Sequence, residues 1–347
     1  MVICGASFAG LACADALGSA RDVVMVDQRE VGEGQTSACA LPLSTVRFLG
    51  LEAHVEERHD DCFVWVRERR HRFRLPEPYC TIGYRGFCEE LAARSGAQLR
   101  LGRIAGRKDR EVLLAGGERL AGRFLVDAAG WRRHLGRGGA LATDAPGLSY
   151  GAEEHVAYPD VAHVAGLHIY VRRDMVGRGY GWNFPSGDHA RAGVGSYVRT
   201  ALQPGMGVLR ERDAMGTPRD RHGGVIPHLL REPVEDGVLF VGDAGGHCLP
   251  LTAEGIRCAI TFGVAAGRLI GRALDGEIAD DEARSRYGAL VLEHRGHFRR
   301  LLAFQRAFPA LHPRVLGAAT RFFEVSGIGA AFTKRYISRI RPDALAL

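Results

Sequence analysis

The sequence predicts an α/β protein in which a parallel-sheet domain is interrupted by an inserted antiparallel sheet and closed by a helical C-terminal region. Three observations carry this. Short apolar runs ending in Gly or Asp stand at Val2–Gly5, Phe124–Gly130 and Val238–Asp243. Helix-period segments follow the first and last of these runs. Between about 140 and 225 the texture changes to aromatic and β-branched alternation. The 347 residues suffice for about two domains.

Val2-Ile-Cys-Gly-Ala-Ser-Phe-Ala-Gly-Leu-Ala-Cys-Ala-Asp-Ala-Leu17 reads as a strand, a glycine turn and a helix, and Val23–Asp27 as a second strand. Gly5 permits the tight turn and Gly10 close helix packing. The helix start at Ser7, Phe8 and Ala9 offers free N–H groups to a pyrophosphate. Asp27, followed by Gln28, lies about twenty residues past the turn, where an acid accepts hydrogen bonds from a ribose. Ser7 replaces the middle glycine of the usual pattern; its hydroxyl can itself donate.

Residues 31–44 read as a glycine-rich connection and Thr45–Arg58 as a helix. Cys62–Leu75 reads as a half-exposed strand pair and Tyr84–Arg94 as a helix. Gln98–Leu101 and Glu111–Leu114 read as strands around a turn, and Phe124–Gly130 as a buried strand. Ala165–Val171 and Ala190–Val198 belong to an antiparallel sheet. Val238–Ile256 joins a buried strand to Asp243 and a helix start. Pro250 and Gly255 let its backbone pass close to a bulky ligand. Ile256–Leu274 is a packed helix, and the chain from Asp280 onward is mostly helical. The parallel-sheet domain is therefore discontinuous, 1–139 with 226–279, around a sheet domain at 140–225 and ahead of a helical region at 280–347.

The net charge is +6, yet all basic residues except Lys108 and Lys334 are arginine. No basic stripe is interleaved with stacking aromatics, which argues against nucleic-acid binding. Arg295–Arg306 is a basic amphipathic segment suited to peripheral contact with anionic lipid. The apolar opening lacks the charged leader of a signal peptide. Met1 stands directly before the first strand, so the start is tight or a few residues precede it. No other run is long and uncharged enough to span a bilayer, which predicts a cytoplasmic or membrane-peripheral protein. The eight cysteines form no Cys-x-x-Cys pair, so no metal site is read and most are expected to be buried thiols.

Gly5-Ala-Ser-Phe-Ala-Gly10, Asp127-Ala-Ala-Gly130 and Gly242-Asp-Ala-Gly-Gly246, with Arg85 between the first two, stand in an order that resembles the FAD-dependent oxidoreductases of the glutathione-reductase-like Rossmann fold. That group holds aromatic hydroxylases, flavin halogenases and geranylgeranyl reductases. The resemblance covers most of the chain and implies noncovalent FAD. It implies that Asp243 holds the ribityl or pyrophosphate portion and that Arg85 contacts the cofactor. It further implies that Asp127 and Gly130 mark a strand passing it, with Arg132 or Arg133 alongside.

Gly179-Tyr-Gly-Trp-Asn-Phe-Pro-Ser-Gly187 is similar to the Tyr-x-Trp-x-Phe-Pro signature of the geranylgeranyl reductase branch, and Pro250-Leu-Thr-Ala-Glu-Gly-Ile256 to its Pro-x-Thr-Gly-Glu-Gly-Ile segment. Hydroxylases usually carry histidine where this chain has Gly246. The halogenase Trp-x-Trp-x-Ile-Pro signature and catalytic lysine are missing.

The branch implies reduction of a carbon–carbon double bond of an isoprenoid or polyene held against the flavin in a dry apolar tunnel. Tyr180, Trp182 and Phe184 would wall it. The backbone at Leu251–Gly255, including Thr252 and Glu254, would sit by the flavin and stabilise its reduced ring. Cys39 lies where some members place a cysteine near the flavin, but without their flanking glycines. NADPH or another reductant would visit transiently, since no second glycine fingerprint is present. The alternatives are a flavin-dependent monooxygenase, hydroxylating or epoxidising a natural-product intermediate, and a flavoprotein whose cofactor is structural and whose C-terminal helices bind a partner.

Overall fold

The computed structural model describes residues 1–137, 140–158 and 160–345. The domain boundary drawn at residue 139 lies outside the described residues. A parallel sheet forms one layer, with strands in the order Val234–Glu235, Val238–Phe240, Leu125–Asp127, Val2–Cys4, Val24–Asp27 and Gln98–Leu101. Only the Val234–Glu235 edge runs antiparallel. Cys4 pairs with Asp127, and Asp127 with Phe240, so the strands end in line. The turns after Cys4, Asp27, Asp127 and Phe240 therefore gather at one sheet edge, where ligands of open parallel sheets bind.

The helices, in chain order, are α1 (Phe8–Leu17), α2 (Leu43–Leu49), α3 (Tyr84–Ser95), α4 (Gln203–Arg212), α5 (Ile256–Leu274), α6 (Asp280–Glu293), α7 (Arg295–Ala307), α8 (Pro313–Val325) and α9 (Gly327–Ile337). Small residues let α1 and α5 touch backbone to backbone. A Cβ on Gly263 would stand 2.4 Å from the Ala9 carbonyl oxygen, and one on Gly267 2.3 Å from that of Cys13. This draws the start of α5 onto the glycine turn, and Asp243 with it.

The second layer is a large sheet ordered Asp220–Pro227, Leu148–Ala157, His189–Ser196, Gly179–Ser186, Leu167–Val171, Val55–Val66, Arg69–Ile82 and Ala40–Pro42. Its pairings are antiparallel except where Leu167–Val171 meets Val55–Val66. The sheet thus extends beyond residues 140–225 and recruits strands from 40–82.

Two local expectations are corrected. The helix expected over Thr45–Arg58 ends at Leu49, because Gly50 turns left-handed (φ +67°) and Val55 opens a twelve-residue strand. Gln98–Leu101 and Glu111–Leu114 do not pair around a turn. The former is the outer strand of the parallel sheet, and the latter is the middle of a meander with Ile104–Lys108 and Arg119–Ala121.

Candidate functional site

Between the two sheets lies a cavity of about 1540 Å³, closed on its third side by α7, α8 and α9. It exceeds the ~300–1,000 Å³ of a drug-sized pocket and has room for a large cofactor beside a second ligand.

The parallel-sheet end is built by the glycine turn. Gly5 has φ +105°, and a Cβ there would stand 2.2 Å from the Ala128 oxygen. A Cβ on Gly10 would stand 2.0 Å from the Gly5 oxygen. Both glycines shape the turn, while Ala6, Ser7, Phe8 and Ala9 line the cavity. The first-turn amides of α1 have no helical acceptor and are free for an anion. Ser7 accepts a hydrogen bond from the Tyr84 hydroxyl at 3.1 Å. Asp27 and Gln28 line the same end. One Asp27 oxygen accepts from the Ala6 amide at 2.8 Å, tying the second strand to the turn. Arg29, Arg103 and Arg132 add positive charge to this wall. Arg103 carried no sequence signal, since it sits in a loop brought here by the outer strand.

Asp243 lies in the cavity wall beside Gly242, whose φ is +59°. Among the described residues no donor reaches its carboxylate. Burial raises its pKa to about 6, with Arg231 opposing. Asp243 is half-buried, and an acceptor partly withdrawn from water with no donor costs free energy that a ligand donor would recover. Gly130 (φ +84°), Gly255 and Ile256 also line the cavity.

Four expected cofactor residues sit elsewhere or do other work. The Asp127 carboxylate is not in the cavity lining. It accepts from the Ala129 amide at 3.1 Å and the Leu135 amide at 2.8 Å, and so folds the turn that presents Gly130. Arg85 is exposed, 3.6 Å from Glu89, and outside the lining; its helix neighbour Tyr84 faces the cavity instead. Pro250 also lies outside the lining. Glu254 borders the cavity, but its carboxylate is engaged by Arg257 at 2.7 and 2.8 Å and by the Tyr79 hydroxyl at 3.3 Å.

Arg257 is fully buried and also donates to the carbonyls of Ile337 (3.0 Å) and Ile340 (2.7 Å), so this ion pair fastens the C-terminal segment to the loop. The loop's Leu251 amide is likewise engaged, donating to Gln305 of α7 at 2.7 Å. The Thr252 hydroxyl meets the Tyr336 hydroxyl of α9 at 2.5 Å. Leu251 (φ +74°) and Ala253 (φ +53°) are held left-handed in this loop, a conformation that costs non-glycine residues free energy. The segment whose backbone was expected to sit by the flavin is, through its side chains and its Leu251 amide, also a junction between α5, α7, α9 and the large sheet.

At the large-sheet end Tyr180, Trp182 and Phe184 alternate along one strand and all face the cavity. The Tyr180 hydroxyl donates to the Thr252 carbonyl at 2.6 Å, and that of Tyr197 to the Leu251 carbonyl at 2.7 Å. Trp182 lies across Gly193, where a Cβ would stand 2.3 Å from its ring, and reaches Glu153 with its indole N–H at 2.8 Å. Glu153 is buried in the lining. Burial works to raise its pKa but is outweighed by His155 and His222, which hold it at about 2. Nothing in the sequence marked Glu153 or His222, because only strand register brings them together.

Cys39 is buried in the lining with φ +52°. Burial pushes its thiol up to about 11 against the opposing Arg191, so it is protonated at neutral pH.

This architecture is a fold shared with solved proteins, among them one described as FAD-dependent. The chain aligns along most of its length with a solved geranylgeranyl bacteriochlorophyll reductase-like protein of Thermoplasma acidophilum, with TM-score 0.83, 17% identity, and 99% of this chain and 96% of that one covered. PqsL of Pseudomonas aeruginosa, described as a probable FAD-dependent monooxygenase, shares the fold at TM-score 0.66 and 20% identity, covering 89% of this chain and 95% of its own. In sequence the chain is a relative of the digeranylgeranylglycerophospholipid reductases. One from Methanopyrus kandleri is 26% identical over 330 residues, 83% of this chain and 80% of its own. The matched stretches span about a third of the length of the first such relatives. No family model matches.

Proposed function

We propose that the protein is an FAD-dependent oxidoreductase that reduces a carbon–carbon double bond of an apolar isoprenoid or polyene. The observation that carries this reading is the continuity of one cavity. It runs from an anion-ready helix start and a donorless, half-buried carboxylate, Asp243, to a stripe of three aromatic side chains. Ser7, Phe8 and Ala9 would hold the pyrophosphate, Asp27 and Gln28 the adenosine end, and Asp243 a hydroxyl of the cofactor chain. When bound, FAD supplies the hydride chemistry. Tyr180, Trp182 and Phe184 orient the substrate and exclude water, and the Cys39 thiol and Tyr180 hydroxyl each hold a proton at neutral pH beside the same space. NADPH or another reductant is the proposed electron source.

Substrate entry is proposed between α7, α8 and α9. Phe304, Leu311, Phe323 and Phe332 are exposed yet line the cavity, and Phe322 and Val325 continue the apolar surface outward. Arg314, Arg321, Lys334 and Arg335 flank them in sequence. No single described helix is long and apolar enough to cross a membrane, and α8 with α9 meet at 84°. Such a bent, basic-flanked apolar surface suits peripheral contact with anionic lipid. The proposed contact therefore includes α8 and α9 as well as the basic segment 295–306.

The test is anaerobic incubation of the reduced holoprotein with a panel of isoprenoids, followed by mass analysis. The reading requires products heavier by two hydrogens and formed without oxygen. Products formed only in air and carrying labelled oxygen would instead make it a monooxygenase. A flavin that neither NADPH nor dithionite reduces would favour the structural-cofactor alternative.

A further inference from the structure

We propose that Glu153, His155 and His222 form a binding site for a first-row divalent metal ion, of which Zn²⁺ suits the donor set best, in the large-sheet wall of the cavity. Glu153 and His155 are two apart on Leu148–Ala157 and so share a face, and His222 on Asp220–Pro227 pairs directly opposite Glu153. The sheet itself fixes their convergence. Glu153 Oε1 is 3.1 Å from the Nε2 atoms of both histidines, and these two nitrogens are 3.2 Å from each other.

Those three separations describe a nearly equilateral triangle of donor atoms. Ligands about 2.0–2.1 Å from a tetrahedral zinc stand about 3.3 Å apart, so an ion fits above the triangle with shifts of a few tenths of an ångström. Two imidazoles and one carboxylate match the three-ligand sets that keep a fourth position open for a water or substrate oxygen. Glu153 and His222 line the cavity, so a ligand there can reach that position.

The surroundings support the site as an outer shell does. The second Glu153 oxygen accepts the Trp182 indole N–H at 2.8 Å, which leaves Oε1 for the ion and fixes the carboxylate plane. His155 packs against the His189 ring at 5.1 Å. His222 packs edge-on against the His155 ring at 5.1 Å, and its Nδ1 is buried with no protein partner among the described residues. Arg191, whose charge is felt by Glu153, is matched by Glu56 at 2.9 Å. The ligands lie in strands 67 residues apart, which is why the sequence shows no metal-binding spacing.

The experiment is equilibrium dialysis of the full chain as purified, stripped with a chelator and then exposed to Zn²⁺, with metal measured by mass spectrometry. About one ion per chain is expected. His222→Ala and Glu153→Gln should each weaken binding at least tenfold, and His163→Ala, at an exposed histidine paired with Glu57 outside the cavity lining, should not. Trp182→Phe, which keeps all three ligands, should weaken it by about tenfold or more through the lost outer hydrogen bond. Zinc X-ray absorption of the unmodified protein gives a measurement that needs no variant, and it should show a nitrogen and oxygen shell with two imidazoles. Substoichiometric uptake by the unmodified protein, equal uptake by His222→Ala, or a sulfur-containing shell would overturn the site and leave a hydrogen-bonded triad.

Discussion

The two ends of the cavity are built by opposite strategies. At the parallel-sheet end a few consecutive residues do the work: Gly5 to Gly10 make the turn and the free amides, and Gly242 with Asp243 make the facing carboxylate. At the large-sheet end Trp182, Glu153 and His222 come from three strands and meet only through register across Gly193. A local motif can bind a cofactor common to many enzymes, whereas a wall assembled from distant strands can vary residue by residue with the substrate. Between them, the Leu249–Gly255 loop borders both ends and is held by side chains from the large sheet and from α7 and α9.

That junction is where the comparison breaks most readily. Glu254→Gln leaves the buried Arg257 charge without its counter-ion, which costs about 3–5 kcal/mol when one partner of a buried pair is removed. The loss should appear in denaturant unfolding of the flavin-free protein as much as of the holoprotein. A variant of unchanged stability with impaired flavin binding would return Glu254 to the cofactor site.

Asp243→Asn sharpens the other end. Removing a charged acceptor from a buried hydrogen bond costs about 1.5–3 kcal/mol, roughly 10–100-fold in FAD affinity. The pH dependence has a definite sign. The folded pKa of about 6 lies above the ordinary 3.8, so the flavin-free protein holds an extra proton between those values and loses stability as pH rises through them. Hydroxyl donors from bound FAD favour the ionised form. FAD affinity should therefore rise with pH through about 6, with a proton released on binding that calorimetry in buffers of different ionisation enthalpy detects. Asp243→Asn should abolish that release, while the slope due to Asp127, also raised to about 6 by burial, persists in the unfolding data.

The smallest effect is expected at Arg85, exposed and outside the lining. Arg85→Ala should change stability by less than about 0.5 kcal/mol and leave FAD affinity, read by flavin fluorescence quenching, unaltered. A tenfold loss would restore the contact that its place at a helix start implied.

The sequence was legible where the candidate site is built locally. The glycine turn, Asp27, Asp243 and the period-two aromatics at Tyr180, Trp182 and Phe184 are all readable along the chain, because each depends on spacing within one short strand–turn–helix or strand segment. It was misleading where the same residue types serve the scaffold. Asp127 ends a strand as a ligand-binding acid would, yet caps its own turn; Glu254 sits in a motif-like segment, yet neutralises Arg257. It was silent on Glu153, His222 and Arg103, whose positions follow from pairings across the sheets. The wider sheet was missed for the same reason, since strands 40–82 join it by long-range pairing only.

The central claim is that one cavity holds FAD at the glycine turn with the aromatic strand facing it. It is tested most directly by titrating flavin-free protein with FAD and following flavin fluorescence alongside that of the tryptophans, of which Trp65, Trp131 and Trp182 are the three. The account predicts saturation at one FAD per chain, release of intact FAD on acid denaturation, and tryptophan quenching that shrinks in Trp182→Phe. Failure of the folded protein to take up FAD would contradict it.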